Sequence, residues 1–139
     1  MSGFSEYYAN KIIDHMLRGV AFTPPATIYV ALFTAVTGLE ANNPTAEVSG
    51  GAYARVAVTL SAASGRITAN SGAVTFVEAS ANWGTVTHLA LVDHISNVNW
   101  GTGVNVLEWN VATVAKAVNT GSVASFAIGD IDVTVPQSA

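Results

Sequence analysis

Thr27-Ile28-Tyr29-Val30-Ala31-Leu32-Phe33-Thr34 follows Pro24-Pro25 and decides how the rest of the chain is read. The two prolines break any helix running into it, and most of the eight residues are β-branched or aromatic, the types that suit a pleated surface. Successive side chains of a strand point to opposite faces, so apolar residues at both parities call for cover on both sides. The segment is expected as a central strand between two apolar layers.

Upstream the period is helical. Tyr8, Ala9, Ile12, Ile13, Met16, Leu17 and Val20 recur at the i, i+3, i+4, i+7 spacing of one helix face, with Glu6, Asn10, Asp14 and Arg18 opposite. Ser5 can cap the first turn, Glu6 suits the positive end of the helix dipole, Asp14 can pair with Arg18 one turn on, and Gly19 supplies the stop. The expected helix covers about residues 5–18 and lays its stripe on the strand Thr27 to Thr34, with Tyr8, Ile12, Met16 and Leu17 in the core. Tyr7, Lys11 and Asp14 remain as candidate contacts for a neighbouring subunit.

Downstream, Ala35 to Gly51 holds Gly38, Asn42, Asn43, Pro44, Ser49 and Gly50 and reads as a long exposed loop. Ala52 to Leu60 alternates, with Ala54, Val56, Val58 and Leu60 on one face and Tyr53, Arg55, Ala57 and Thr59 on the other. Further strands are expected at Arg66 to Ala69, Ala73 to Val77, Thr85 to Val92, Asn105 to Val111, Val123 to Ile128 and Ile131 to Val135. Gly129-Asp130 is a candidate hairpin turn. The expected fold is mainly β: an antiparallel β-sandwich or barrel-like domain with one N-terminal amphipathic helix packed on it. It forms a single domain over residues 1–139, its β part running over about 27–135.

Composition narrows the function classes. Half of the residues are hydrophobic and only 10% are charged, against about 25% in ordinary globular domains. Charged residues are depleted from the cores of interfaces, so a surface this poor in charge suits close packing against protein neighbours. Nine acidic and five basic residues leave a net charge of −4, the wrong sign for a nucleic-acid partner. No apolar run approaches the roughly 20 residues of a membrane span, and no basic-then-apolar leader opens the chain, so neither membrane insertion nor classical secretion is expected. Without cysteine there is no disulfide framework, thiolate metal site or cysteine nucleophile.

The sequence offers no pattern that assigns a catalytic residue, metal ligand or cofactor. His15, His88 and His94 fit no local motif, and the last two would share a face only if a strand ran unbroken past Asp93. Phosphate loops, serine elbows and paired-histidine zinc elements do not occur. Glycoside hydrolysis needs only two carboxylates, and among Glu40, Glu47, Glu78, Asp93, Glu108, Asp130 and Asp132 no pair stands out. Glu108 interrupts the apolar run Val104 to Val111 and is expected to point outward on an alternating strand. Trp100 sits among Asn97, Asn99 and Asn105, where an indole face and several amides could stack on a sugar or pack at an interface; these four are the candidate contacts for a host or partner surface.

Several phrases together resemble a family of small bacteriophage virion proteins, the phage tail fibre proteins. They are Asn10-Lys11-Ile12-Ile13-Asp14-His15, Thr27 to Thr34, Glu47-Val48-Ser49-Gly50-Gly51-Ala52-Tyr53-Ala54-Arg55 and Trp83-Gly84-Thr85-Val86-Thr87-His88, with a weaker match over Ser122 to Val135. Between Asp93 and Glu108 the chain departs from the family's pattern, carrying a longer tryptophan-bearing segment where the family has a short Gly-Gly hairpin. The resemblance implies a structural component of the virion tail, made in the bacterial host cytoplasm, arranged as symmetric copies and working without cofactor or turnover. A homo-oligomer is then expected, a trimer above all, because closed cyclic symmetry buries an apolar patch without growing a filament. Its expected partners are itself, other virion proteins such as the tail nozzle, adaptor or capsid, and a host surface glycan. A capsid decoration protein is the alternative, and a glycan-degrading or glycan-binding tail module is a more distant one.

Overall fold

The structure is a computed structural model that describes residues 3–135. Along the chain run β1 (Gly3–Phe4), α1 (Glu6–Arg18), β2 (Ile28–Phe33), β3 (Val56–Val58), β4 (Ile67–Ala69), β5 (Val74–Thr75), β6 (Gly84–Val92), β7 (Val106–Val118), β8 (Ser125–Phe126) and β9 (Asp132–Thr134). Five of the strands form one antiparallel sheet in the order β1-β7-β6-β2-β3.

The strand that opened the sequence reading lies inside this sheet and is covered on both faces. Val30 and Leu32 join Leu89, Leu91 and Leu107 in one cluster, while Ala31 and Phe33 join Ala90, Val92, Val106 and Trp109 in the other. Two short antiparallel ladders, β4–β9 and β5–β8, cover the first face and bring Val74, Phe76 and Ile131 down onto it. The result is a mainly antiparallel, sandwich-like arrangement whose sheets, among the described residues, do not close into a barrel.

Chain expected as exposed loop covers the other face. Leu39 is wholly buried against Phe33 and Trp109, and Asn42 and Pro44 are buried with it. The segment is held by backbone bonds from Thr34 N–H to Ala46 O (2.9 Å) and from Val48 N–H to Leu32 O (2.9 Å). Asn42 Oδ1 accepts from Val106 N–H at 2.7 Å, standing in for the strand partner that this end of β7 lacks. Gly, Asn and Pro mark where a chain bends; whether the bend folds inward depends on the few apolar residues it carries.

The helix forms as its spacing requires but packs elsewhere. Ser5 Oγ accepts from Tyr8 N–H at 3.2 Å, Gly19 ends the helix in the left-handed conformation, and Arg18 pairs with Asp14 at 2.7 Å. Ser5 also donates its amide to Leu107 O at 3.0 Å and its hydroxyl to Val106 O, while β1 pairs Gly3 and Phe4 with Trp109 and Glu108. The helix therefore hangs from β7 and β1, not from β2, whose faces the ladders and the loop already cover. Tyr8 and Ile12 are half-buried, but Met16 and Leu17, expected in the core, are 71% and 81% exposed.

Smaller differences follow the same logic. Only Val56–Val58 of the run Ala52 to Leu60 is strand, and ahead of it Arg55 is buried and Tyr53 half-buried. The run Val123 to Ile128 shortens to Ser125–Phe126, and Gly129-Asp130 closes no hairpin because β8 pairs with β5 while β9 pairs with β4. β7 continues to Val118, well past the expected Val111.

Candidate interaction surfaces

Two of the phrases that carry the resemblance meet in an internal brace. Trp83 Nε1–H donates to Gly51 O at 2.8 Å, and its ring lies so close that a Cβ on Gly51 would come within 2.8 Å of Nε1. Tyr53 stacks on Phe76 and meets Trp83 edge-on, with centroids 6.1 and 5.4 Å away, and its hydroxyl accepts from Leu32 N–H and donates to Glu47 Oε1. Burial first, and the Glu47 charge second, hold that hydroxyl's pKa far above its ordinary value.

Arg55 ties this brace to the Trp100 segment. It is 6% exposed and forms a two-point pair with Glu47, Nε to Oε1 and Nη2 to Oε2, both at 2.7 Å. Nη1 donates to His94 O at 2.8 Å, and the guanidinium stacks 5.0 Å from the Trp100 ring centroid. A pair buried this way is strongly destabilising to break from one side, because the remaining charge keeps its desolvation cost.

The Trp100 segment is consequently more tied down than the sequence suggested. Trp100 is half-buried, with Phe33 6.3 Å away between centroids. Asn97 Oδ1 accepts from Asn99 N–H, and Asn105 donates to Asp93 Oδ2 and accepts from Asn42 Nδ2, so both spend their amides on holding the loop. Asn99 is exposed. His94 Nδ1 accepts from the amides of Ser96 and Asn97 in a turn beyond β6, apart from His88, which lies beside Trp109. Among the described residues no group of three or more His, Asp or Glu could hold a metal, and no helix is long and apolar enough to cross a membrane.

What faces outward is apolar. On α1, Ile13, Met16 and Leu17 are exposed, as is Val20 just past the helix end; the same helix carries Lys11, whose ammonium lies 5.6 Å from the Tyr7 ring centroid, and Asp14, which holds Arg18. On β7 the residues from Val111 to Ala117 are exposed except for half-buried Ala112, and Val114 reaches 76%. Here Val111 lies opposite His88 and Lys116 opposite Val86, so four β7 residues, Ala112 to Ala115, face the single Thr87 of β6. Such an excess forces the strand to bulge away from its partner.

The chain is thus a β-sandwich braced from within, poor in charge and carrying apolar side chains outward on a helix and a strand bulge, features that suit a structural building block. The chain belongs to the family of the podophage GP4 fiber I protein gp80, whose sequence pattern matches residues 3–134. It is thus a member of a phage tail fibre family, which implies a structural component of the virion tail. No curated protein matches the chain.

Proposed function

We propose that the chain is a tail fibre subunit that assembles with copies of itself, as a trimer, and through that assembly joins the nozzle or adaptor of the virion tail without any catalytic turnover. The observation that carries this reading is the exposed stripe Ile13, Met16 and Leu17 on a helix fixed at its start by Ser5 and by the bond from Glu6 N–H to Glu40 O at 2.8 Å, with exposed Val20 just past the helix end. Covering one such side chain is worth about 1.5–3 kcal/mol, which the isolated chain forgoes. Ile13, Met16 and Leu17 stand three and four residues apart and so share one helix face, and three copies of α1 can meet about one axis. Tyr7, Lys11 and Asp14 are the candidate flanking contacts.

Light scattering of the purified chain at micromolar concentration should give a multiple of the chain mass. Met16→Glu combined with Leu17→Glu should give a folded monomer whose melting temperature no longer depends on concentration, because both side chains face water in the isolated chain. A wild-type monomer would overturn the reading. Host contact through Asn99 and the outer edge of Trp100 would be an added role of the assembled fibre; unchanged adsorption of phage carrying Trp100→Ala removes it.

A further inference from the structure

Between α1 and the β4–β9 ladder lies a groove of about 230 Å³, walled by Phe4, Tyr8, Ile12, Ile67 and Val133, with Leu91 and Glu108 below. Glu108 was expected to point outward; it is 4% exposed. Its Oε1 accepts from Asn110 Nδ2 at 2.9 Å, while Oε2 has no hydrogen-bond partner. A buried carboxyl oxygen left in this state is costly, and it calls for a donor or cation from outside.

The basic side chains of the chain are few enough to account for one by one. Arg18 holds Asp14, Arg55 holds Glu47, Lys11 lies over Tyr7, and Arg66 has interactions of its own. Among the described lysines and arginines, Lys116 alone makes no hydrogen bond, ion pair or ring contact. It stands exposed on the bulged half of β7. It cannot serve the Glu108 of its own chain: their partners across the ladder, Val86 and Leu91, are five residues apart, a separation of about 17 Å along a strand, well beyond a lysine side chain.

We propose that the groove is the socket for a second copy of this chain, taking the β7 bulge of the neighbouring subunit so that its Lys116 Nζ meets Glu108 Oε2 and its Val114 lies on the apolar walls. This rests on the self-assembly reading and names the surfaces it uses. The groove is smaller than the roughly 300–1,000 Å³ of small-molecule sites, which fits one or two inserted side chains and not an oligosaccharide. A lysine suits it, since its alkyl stem can lie on apolar walls while its ammonium meets the acid. Knob and socket are different surfaces, so the contact is heterologous and closes into a ring when the rotation between copies permits, as a trimer needs. The exposed stripe of α1 borders the same groove, whose wall includes Ile12, so both surfaces belong to one interface.

The test is the association of the full chain followed by analytical ultracentrifugation. Lys116→Ala and Glu108→Gln should each raise the concentration for half-dissociation by about tenfold or more, and the double variant should do no worse than either single one, because both remove the same contact. Ala63 also lines the groove, and Ala63→Trp, which plugs it and leaves both charged residues in place, should act in the same direction with its melting temperature kept as a check on folding. Equal association of the wild type and all four variants overturns the socket while leaving self-assembly standing. Losses that add in the double variant overturn the Lys116–Glu108 contact, and a monomeric wild type overturns the fibre reading as well.

Discussion

Replacing Glu108 by Gln should stabilise the isolated fold, and increasingly so as pH rises. Burial first, and neighbouring Asp132 second, push the Glu108 carboxyl from 4.5 up to about 8. Below about 4.5 both the folded and the unfolded chain hold this proton, and the fold suffers no penalty from the site. Between 4.5 and about 8 the unfolded chain releases it while the folded chain keeps it, so stability falls with pH by about 1.4 kcal/mol per pH unit. Above that window both forms are ionised and the loss is complete, about 5 kcal/mol in all, a large share of the roughly 5–15 kcal/mol that holds a domain together. Glutamine has the same shape and no charge to desolvate, so this slope disappears. The comparison is best made in the Met16→Glu, Leu17→Glu background, which keeps the copies apart, by urea unfolding followed through the three tryptophans from about pH 5 to about pH 8. Every other titrating group is common to both chains and cancels in the difference. Two unfolding profiles that stay parallel over that window would refute the reasoning, because Glu108 would then ionise in the fold as freely as in the unfolded chain.

Arg55→Ala should cost about 3–5 kcal/mol in urea unfolding by leaving Glu47 with the Tyr53 hydroxyl but no cation, and Arg55→Lys should recover only part of it, since an ammonium cannot reproduce the two-point pair. Gly51→Ala should lower the thermal midpoint by the equivalent of roughly 1–3 kcal/mol: its φ is +57°, and the added methyl would press on the Trp83 indole and break its bond to Gly51 O.

The parts of the fold written in short-range pattern were legible: α1 with its Ser5 cap and Gly19 stop, β2 with its two buried faces, and β6 nearly to the residue. Periodicity identifies a face without naming what meets it, so Tyr8 and Ile12 could not be told from Met16 and Leu17, which share their stripe and meet solvent. Glu108 was misplaced for a different reason. The register shift at Leu91/Val92 sets Val106 opposite Val92 and Glu108 opposite Leu91, leaving Leu107 as an extra residue and turning the acid inward. A bulge of this kind has no local sequence mark. The Arg55 brace was half visible, since Glu47 and Arg55 share one of the resembling phrases, but only the fold brings His94 and Trp100 to the same guanidinium.

The buried acid also couples assembly to pH. In the free subunit the proton on Glu108 is retained up to about pH 8; the groups around it are Asp132 from β9, Asn110 and Leu107 from its own strand, Tyr8 and Ile12 from α1, and Arg66 at the groove. A neighbour's ammonium at Oε2 favours the ionised form, so the assembled state holds fewer protons than the free one. Association that releases a proton tightens as pH rises, here over the range that ends near 8, until the free carboxyl is itself ionised. The wild-type chain should therefore associate more tightly at about pH 8 than at about pH 6, whereas Glu108→Gln, with no proton to give up, should lack that increment. Sedimentation of the two chains at both pH values measures it directly. A wild-type association that is flat or weakens over this interval would mean that no cation reaches Glu108 when the copies meet, and the buried acid would then have to be explained by something other than its neighbour.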